Sequence, residues 1–148
     1  MFNADQAFNL YFGGSTVLDG VFGVVVPSTI HDVAADESTV KFYLRKIEVA
    51  LSDAFGACTT VNQYGSWMGI REDNALVYSF YDTSDPDLAN KFYQIALSVS
   101  SMQYGMQQEC IGLLFNGKFV LWSKEQQDAY FVEQRKRTAE IIANASAR

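Results

Sequence analysis

The chain has 148 residues, of which 49% are hydrophobic and 19% are charged, a balance that is typical of one globular domain and excludes a disordered chain. Its formal net charge is −6, and Lys and Arg cluster only at residues 135–137, which argues against a nucleic-acid partner. No segment approaches the roughly 20 apolar residues that span a bilayer, so we expect no membrane partner.

The first half of the chain predicts a strand followed by a helix. Residues 1–20 are expected to form an N-terminal extension or an extra strand, since Ala7–Phe12 is an apolar run. Val21–Val26 is rich in β-branched residues and predicts a central strand. From Ser38 the apolar residues recur with a helical period, and Gly56 is expected to end that helix.

The second half predicts two strands, a second helix and two more strands. Strands are expected at residues 57–64 and 70–82, followed by a helix that begins with a capping serine, Ser84, and ends at Gly105. Gln108–Phe115 predicts a fourth strand, and Asn116-Gly117 predicts a two-residue hairpin into a further strand.

Ser123 and Gln126 resemble a capping box that opens a terminal helix. The complete order, β-α-β-β-α-β with an added hairpin strand and terminal helix, predicts an α+β, ferredoxin-like fold. We expect one domain, residues 1–148, with its core at 21–122 and the terminal helix at 123–148. In this topology Cys58 and Cys110 lie on strands too far apart for a disulfide.

The familiar catalytic motifs are missing. His31 is the only histidine and the two cysteines form no cluster, so neither a zinc site nor a cysteine–histidine nucleophile is predicted. Gly13-Gly14-Ser15 lacks the spacing and the lysine of a phosphate-binding loop. No cofactor is expected, and the N-terminus has no secretory pattern, which makes the cytoplasm the expected location.

Two glutamates stand at the margins of strand-like segments. Glu72 follows Arg71 just before an apolar run, and Glu109 begins the fourth predicted strand. A carboxylate is costly to desolvate unless it is paired or hydrogen-bonded, so two of them in a repeated pattern indicate a polar site on a rigid sheet. The alternative interpretation is that each is an ordinary charge at a strand end, in contact with water.

The aromatic residues also have two interpretations. Tyr64, Trp67, Tyr78 and Tyr104 lie in or next to predicted strands and helices, where aromatic side chains ordinarily pack in the core. Core packing is the favoured interpretation; the alternative is that one of them lines a ligand pocket, where an aromatic face attracts a cationic ligand. The residues alone therefore predict a ferredoxin-like domain with a candidate acidic, aromatic-lined site.

Three stretches resemble the phage-encoded S-adenosylmethionine lyases, long called S-adenosylmethionine hydrolases. They are Val21–Val26, Tyr64-Gly65-Ser66 with the following Arg71-Glu72, and Gln107–Ile111. The resemblance extends from Val21 to Trp122. It implies cofactor-free cleavage of S-adenosylmethionine to methylthioadenosine and homoserine lactone, by which a phage in its host's cytoplasm removes the methyl donor used in restriction.

The resemblance also implies roles for individual residues. Glu72 would hold the amino group of the substrate, Glu109 would bind or orient the substrate through its sulfonium or ribose, and Tyr64 would fix the reacting end, which makes these three the predicted catalytic residues. Gln108, Trp67 and Tyr78 are the predicted substrate-binding residues. The spacing from Tyr64 to Glu72 is shorter than in the family.

A second resemblance competes with the first. Leu10–Gly13, Tyr64–Trp67 and Arg71-Glu72 are also similar to an uncharacterised bacterial family of ferredoxin-like domains. Both families are similar to PII-like proteins, in which trimers hold small ligands between subunits, and a homotrimer with the site at the subunit interface is therefore expected. The alternatives to catalysis are a PII-like binding module and a phage anti-defence protein that uses the fold, and its last helix, for protein contacts.

Overall fold

The computed structural model describes residues 3–30, 33–67 and 70–146; within these ranges it does not describe the side chains of residues 63–67, 70–72 and 134–135. His31 therefore lies outside the described residues. The helices are α1 (Ala4–Phe12), α2 (Glu37–Phe55), α3 (Leu88–Gly105) and α4 (Lys124–Ser146). The strands are β1 (Gly20–Val26), β2 (Thr29–Ile30), β3 (Val33–Ala34), β4 (Thr59–Trp67), β5 (Ile70–Tyr81), β6 (Cys110–Phe115) and β7 (Lys118–Ser123).

The main sheet has five strands in the order β4-β5-β1-β6-β7, and all four neighbouring pairs are antiparallel. Leaving out the added strand β7, the order is that of a ferredoxin-like β-α-β-β-α-β domain, which confirms the predicted fold class. Strands β2 and β3 pair only with each other. Two strands, β5 and β1, separate β4 from β6, and Cys58 and Cys110 are both free thiols.

One face of the sheet is buried beneath α2 and α3. Alternate residues of a strand point to opposite faces, and Val24 of β1 pairs with Val77 of β5 on the covered face. Both valines are fully buried, as are Leu51 of α2 and Val99 of α3. The apolar stripes predicted for the two helices therefore pack against the strands, and they form the core.

Helix α2 ends as its sequence predicts. Gly56 has a φ of 89°, a left-handed conformation that glycine adopts without strain, and its N–H donates to the carbonyl of Ser52. At the other end, Asp36 accepts a hydrogen bond from the N–H of Thr39 and caps the helix. Helix α3 passes close to α2 at Gly105, where an added Cβ would collide with the Tyr43 hydroxyl.

The hairpin and the terminal helix are also confirmed. Asn116 and Gly117 have φ values of 48° and 82°, as a tight turn with two left-handed residues requires. The Asn116 carboxamide oxygen accepts from the N–H of Val21, which attaches the turn to β1. Ser123 and Gln126 form the predicted capping box, each side chain accepting a hydrogen bond from the other residue's N–H.

The strand alternative for the N-terminus is wrong. Residues 4–12 form helix α1, which Asn3 and Gln6 open with a capping box. The helical spacing was present in the sequence, since Phe8 and Phe12 lie four residues apart and their tilted rings are 5.2 Å apart on one helix face. No residue of α1 is buried, and that residues 1–20 form an extension of the domain stays a prediction.

The predicted start of α3 is also wrong. The helix begins at Leu88, and Ser84 does not cap it, since the Ser84 hydroxyl donates instead to the carboxylate of Asp82. Residues 83–87 form turns in which the N–H of Asp87 donates to the Asp85 carboxylate. Asp85 also pairs with Lys91, which connects the turn to the first part of the helix.

Candidate functional site

The candidate site lies at one end of the main sheet, here called the Glu109 end. It comprises residues 28–29, which follow β1, together with residues 72–74 of β5 and residues 108–109, which precede β6. The N–H of Ser28 donates to the Asn74 carboxamide oxygen at 3.2 Å. The Gln108 side-chain amide donates to the carbonyl of Thr29 at 2.7 Å. Residues 28–29 thus bridge the two strands that flank β1.

The strand register brings the backbones of Glu72 and Glu109 to this same end. Val26 pairs with Ala75, and Val24 pairs with Leu113. If these pairings are continued, residue 72 is level with residue 29 and residue 109 is level with residue 28. The two residues therefore differ by one residue along the strand direction. Two strand spacings separate them, which is roughly 10 Å. The register brings these backbones together; the side chain of Glu72 lies outside the described residues.

Glu109 combines an anchored backbone with an exposed side chain. Its carbonyl oxygen accepts hydrogen bonds from the Gln103 side-chain amide at 3.0 Å and from the N–H of Lys124 at 2.8 Å. The residue itself is exposed to solvent. The charged form of its carboxylate is therefore hydrated in the single chain and needs no compensating partner.

Gln108 is half-buried, and its side-chain nitrogen donates both to Thr29 and to the carbonyl of Met106 at 3.0 Å. An amide nitrogen carries two hydrogens, so both of its donor positions are used within the chain. The amide oxygen of Gln108, an acceptor, takes no part in either bond. Sequence reasoning identified this residue without identifying its structural role.

The other predicted site residues lie on β4 and β5. Tyr64 pairs with Asp73 and Glu72 pairs with Gly65, so Tyr64 and Glu72 are one position out of register. Trp67 pairs with Ile70 at the far end of the same hairpin. The side chains of Tyr64 and Trp67 lie outside the described residues, and their predicted roles stay predictions.

Tyr78 lies away from the Glu109 end. It pairs with Gly23, which in turn pairs with Leu114, so it is level with a residue five positions beyond Glu109. This is roughly 17 Å along the strands. Tyr78 is half-buried on the uncovered face, where its ring meets that of Phe80 edge-on at 5.8 Å. Within one chain the fold does not bring Tyr78 together with Glu109.

Asn74 and Thr29 belong to this end of the sheet, and sequence reasoning missed both. Asn74 ends the polar run at residues 71–74 directly before the apolar part of β5, which is the one signal that could have indicated it. Thr29 contributes a main-chain carbonyl, for which side-chain identity gives no signal. Among the side chains that the structure describes, no three His, Cys, Asp or Glu residues group as metal ligands.

A concave surface lies away from the Glu109 end, between α2 and α3. This groove has a volume of about 900 Å³ and includes Arg45, Lys46 and Phe42. Two of its other cations are already paired, Lys41 with Glu37 and Lys91 with Asp85. The hydrogen bond from Lys91 lowers the pKa of Asp85, and the same bond raises the pKa of Lys91.

No described helix is long and apolar enough to cross a membrane. No protein-family model matches the chain, and no curated protein matches it.

Two solved structures are similar to it. A phage SAM lyase in its apo state has 13% identity and a TM-score of 0.49, over 72% of this chain and 90% of that one. A phage SAM lyase in complex with S-methyl-5'-thioadenosine has 13% identity and a TM-score of 0.46, over 74% of this chain and 93% of that one. Likeness of this extent carries no functional argument, and the fold class rests on the strand order itself.

Proposed function

We propose that this chain cleaves S-adenosylmethionine to methylthioadenosine and homoserine lactone. The observation that carries the proposal is the bridge at residues 28–29, because it connects β5 near Glu72 with the residues beside Glu109. The lyase resemblance gives a role to those two glutamates and to Gln108. Glu72, Glu109 and Gln108 would then lie at one end of the sheet, where the two carboxylates would bind a substrate with an ammonium and a sulfonium group.

The reaction needs no catalytic base. One oxygen of the substrate carboxylate attacks the γ-carbon, the bond from that carbon to sulfur breaks, and its electron pair neutralises the sulfonium. The products are a five-membered lactone and a neutral thioether, and no proton or water is consumed. The enzyme has to fold the substrate into the attacking geometry, which accounts for a chain without nucleophile or base motifs.

The proposal assigns the ammonium group to Glu72, the sulfonium or ribose to Glu109, and the reacting end to Tyr64. The positive charge on sulfur disappears as the bond breaks, so a carboxylate beside it favours the bound substrate over the transition state. Glu109 therefore contributes by binding and orienting the cationic substrate, a role that needs the charge of its carboxylate. Gln108, Trp67 and Tyr78 are proposed to contact the rest of the substrate. For a phage in the host cytoplasm, the consequence is loss of the methyl donor and restriction cofactor.

The proposal includes a homotrimer in which neighbouring subunits complete the site. It is supported by the uncovered face of the sheet, where Phe119, Leu121 and Phe80 are 62%, 58% and 50% exposed. Apolar surface of this kind on a sheet indicates a protein interface. Light scattering should give about three times the chain mass of 16.5 kDa. A monomer at working concentration would contradict a shared site.

The function is tested by incubating purified protein with S-adenosylmethionine and separating the products by chromatography, against a protein-free sample that measures spontaneous breakdown. We expect methylthioadenosine from the wild type and none above background from Glu109→Gln, which removes the charge at constant shape. Glu125→Gln is the matched control, an exposed glutamate in the first turn of α4, and should retain full activity.

The alternatives are separate outcomes of the same assay. No product at high protein concentration excludes the lyase. Binding of S-adenosylmethionine without product supports the non-catalytic trimeric module. If neither binding nor product is observed, the remaining alternative is an interaction protein. Its proposed contact surface is the exposed distal part of α4, with Ile141 and Ile142. Full activity in Glu109→Gln would show that the site has been assigned wrongly.

A further inference from the structure

Gln103 is a polar residue buried among apolar neighbours. It lies near the end of α3, where its neighbours Val99, Met102 and Met106 are apolar and buried, and it is itself fully buried. Its side-chain oxygen has no hydrogen-bond partner among the described residues. A buried amide that is only half satisfied destabilises the fold relative to an apolar side chain of the same size. The position would therefore favour methionine or leucine if packing alone decided it.

The nitrogen of the same side chain binds two consecutive residues of the candidate site. It donates to the carbonyl of Gln108 and to the carbonyl of Glu109, each at 3.0 Å. Consecutive carbonyls of a regular strand point in opposite directions, so one donor can reach both only where the chain turns. Gln103 thus recognises a particular conformation of residues 108–109.

The backbone of the preceding turn explains that conformation. The N–H of Gln108 donates to the carbonyl of Gln103, and the N–H of Gln107 donates to the carbonyl of Tyr104. Gln107 has a φ of 51°, so these bonds form a Schellman motif with glutamine in the left-handed position that glycine usually occupies. Both the main chain and the side chain of Gln103 therefore bind the residue that precedes Glu109.

We propose that Gln103 is a positioning residue, which holds residues 108–109 in the conformation that presents Glu109 at the end of the sheet. The N–H of Lys124 in α4 donates to the same Glu109 carbonyl, so the backbone is held from two helices while the residue stays exposed to solvent. The conformational part of this proposal stands on the contacts alone. Its effect on turnover rests on the proposed function.

The test compares Gln103→Met, which keeps the volume and removes both donors, with Val99→Ala, which opens a cavity one turn earlier on the same helix. Hydrogen exchange followed by mass spectrometry reports on the peptide 106–112. In Gln103→Met we expect exchange there to be about fivefold to tenfold faster, the effect of losing about one net hydrogen bond, with unchanged exchange in β1 and β5. Val99→Ala should lower the melting temperature without this local change.

Turnover supplies the second readout. If the wild type cleaves S-adenosylmethionine, Gln103→Met should lower kcat at least about tenfold with a smaller change in KM, whereas Val99→Ala should retain kcat at temperatures where it is folded. Unaltered exchange in peptide 106–112 overturns the proposal whether or not the wild type is active. An inactive wild type with the expected local exchange overturns the proposed function and supports the role of Gln103.

Discussion

The two faces of the main sheet have opposite surroundings although both carry apolar side chains. On the covered face, Val24 and Val77 are fully buried beneath α2 and α3. On the uncovered face, Phe119 packs beside Gly112 and Val25 and remains largely exposed. An apolar sheet face in water is unfavourable, so α2 and α3 stabilise the first face within one chain, and the proposed homotrimer would bury the second.

The largest expected effect is on the covered face. Leu51→Ala removes a fully buried side chain of α2 and should lower the free energy of unfolding by about 2–5 kcal/mol, through lost burial and the cavity left behind. Urea denaturation measures it. Leu97→Ala, at a partly exposed position on α3, is the control and should cost less than about 1 kcal/mol. Equal losses in the two variants would contradict the location of the core.

A substitution on the uncovered face should change the oligomeric state of the protein. Val61 on this face is 40% exposed and Val49 on the helix side is 39% exposed, which makes a matched pair. Val61→Asp should weaken association at least about tenfold, because it buries an unpaired charge in the interface. Val49→Asp should leave the mass unchanged in light scattering. If both variants keep the wild-type mass, this face is not the interface.

A smaller effect on stability is expected at the start of α4. This helix contacts the end of α3, where the Tyr104 hydroxyl donates to the Asp128 carboxylate. Ser123→Ala removes the side chain that caps this helix and should lower the free energy of unfolding by about 0.5–2 kcal/mol. Thermal unfolding with circular dichroism measures the change. Ser123→Asp, which keeps a capping oxygen, should recover most of the loss. An unchanged melting temperature in Ser123→Ala would mean that α4 contributes little to the fold.

The smallest effect concerns acid stability on the helix side. Hydrogen bonds from the Ser38 hydroxyl and the Thr39 N–H lower the pKa of Asp36 below its ordinary value of 3.8. This stabilisation is therefore complete above the unfolded-state pKa and is lost as the pH falls through the lower folded-state pKa. Asp36→Asn keeps a capping side chain, and its free energy of unfolding should depend less steeply on pH below about 4 than that of the wild type. Parallel pH profiles of the two proteins would contradict this assignment.

The sequence predicts most of the fold because its strongest signals are local. The helical period from Ser38, the left-handed Gly56 and the Asn116-Gly117 turn each act within a few residues, and each is confirmed. The error at α1 has the same origin, since the Asn3–Gln6 capping box is a local signal that the apolar run outweighed. The start of α3 was wrong because Asp82 binds the predicted capping serine, Ser84.

The candidate site was less predictable, because it depends on contacts between distant parts of the chain. Gln108 reaches Thr29, which is 79 residues away, and only the strand order makes that contact possible. Gln103 appears in sequence as one more helical residue between apolar positions. Its function depends on the turn at Gln107, whose left-handed backbone is unusual for glutamine and gives no signal in sequence.

Product analysis in water enriched in oxygen-18 tests the proposed reaction most directly. Attack by the substrate's own carboxylate predicts methylthioadenosine and homoserine lactone in equal amounts, with unlabelled oxygen on the γ-carbon even after the lactone opens. Label on that oxygen would mean that water attacks the γ-carbon and would contradict the intramolecular mechanism. Absence of both products at high protein concentration would contradict the proposed function itself.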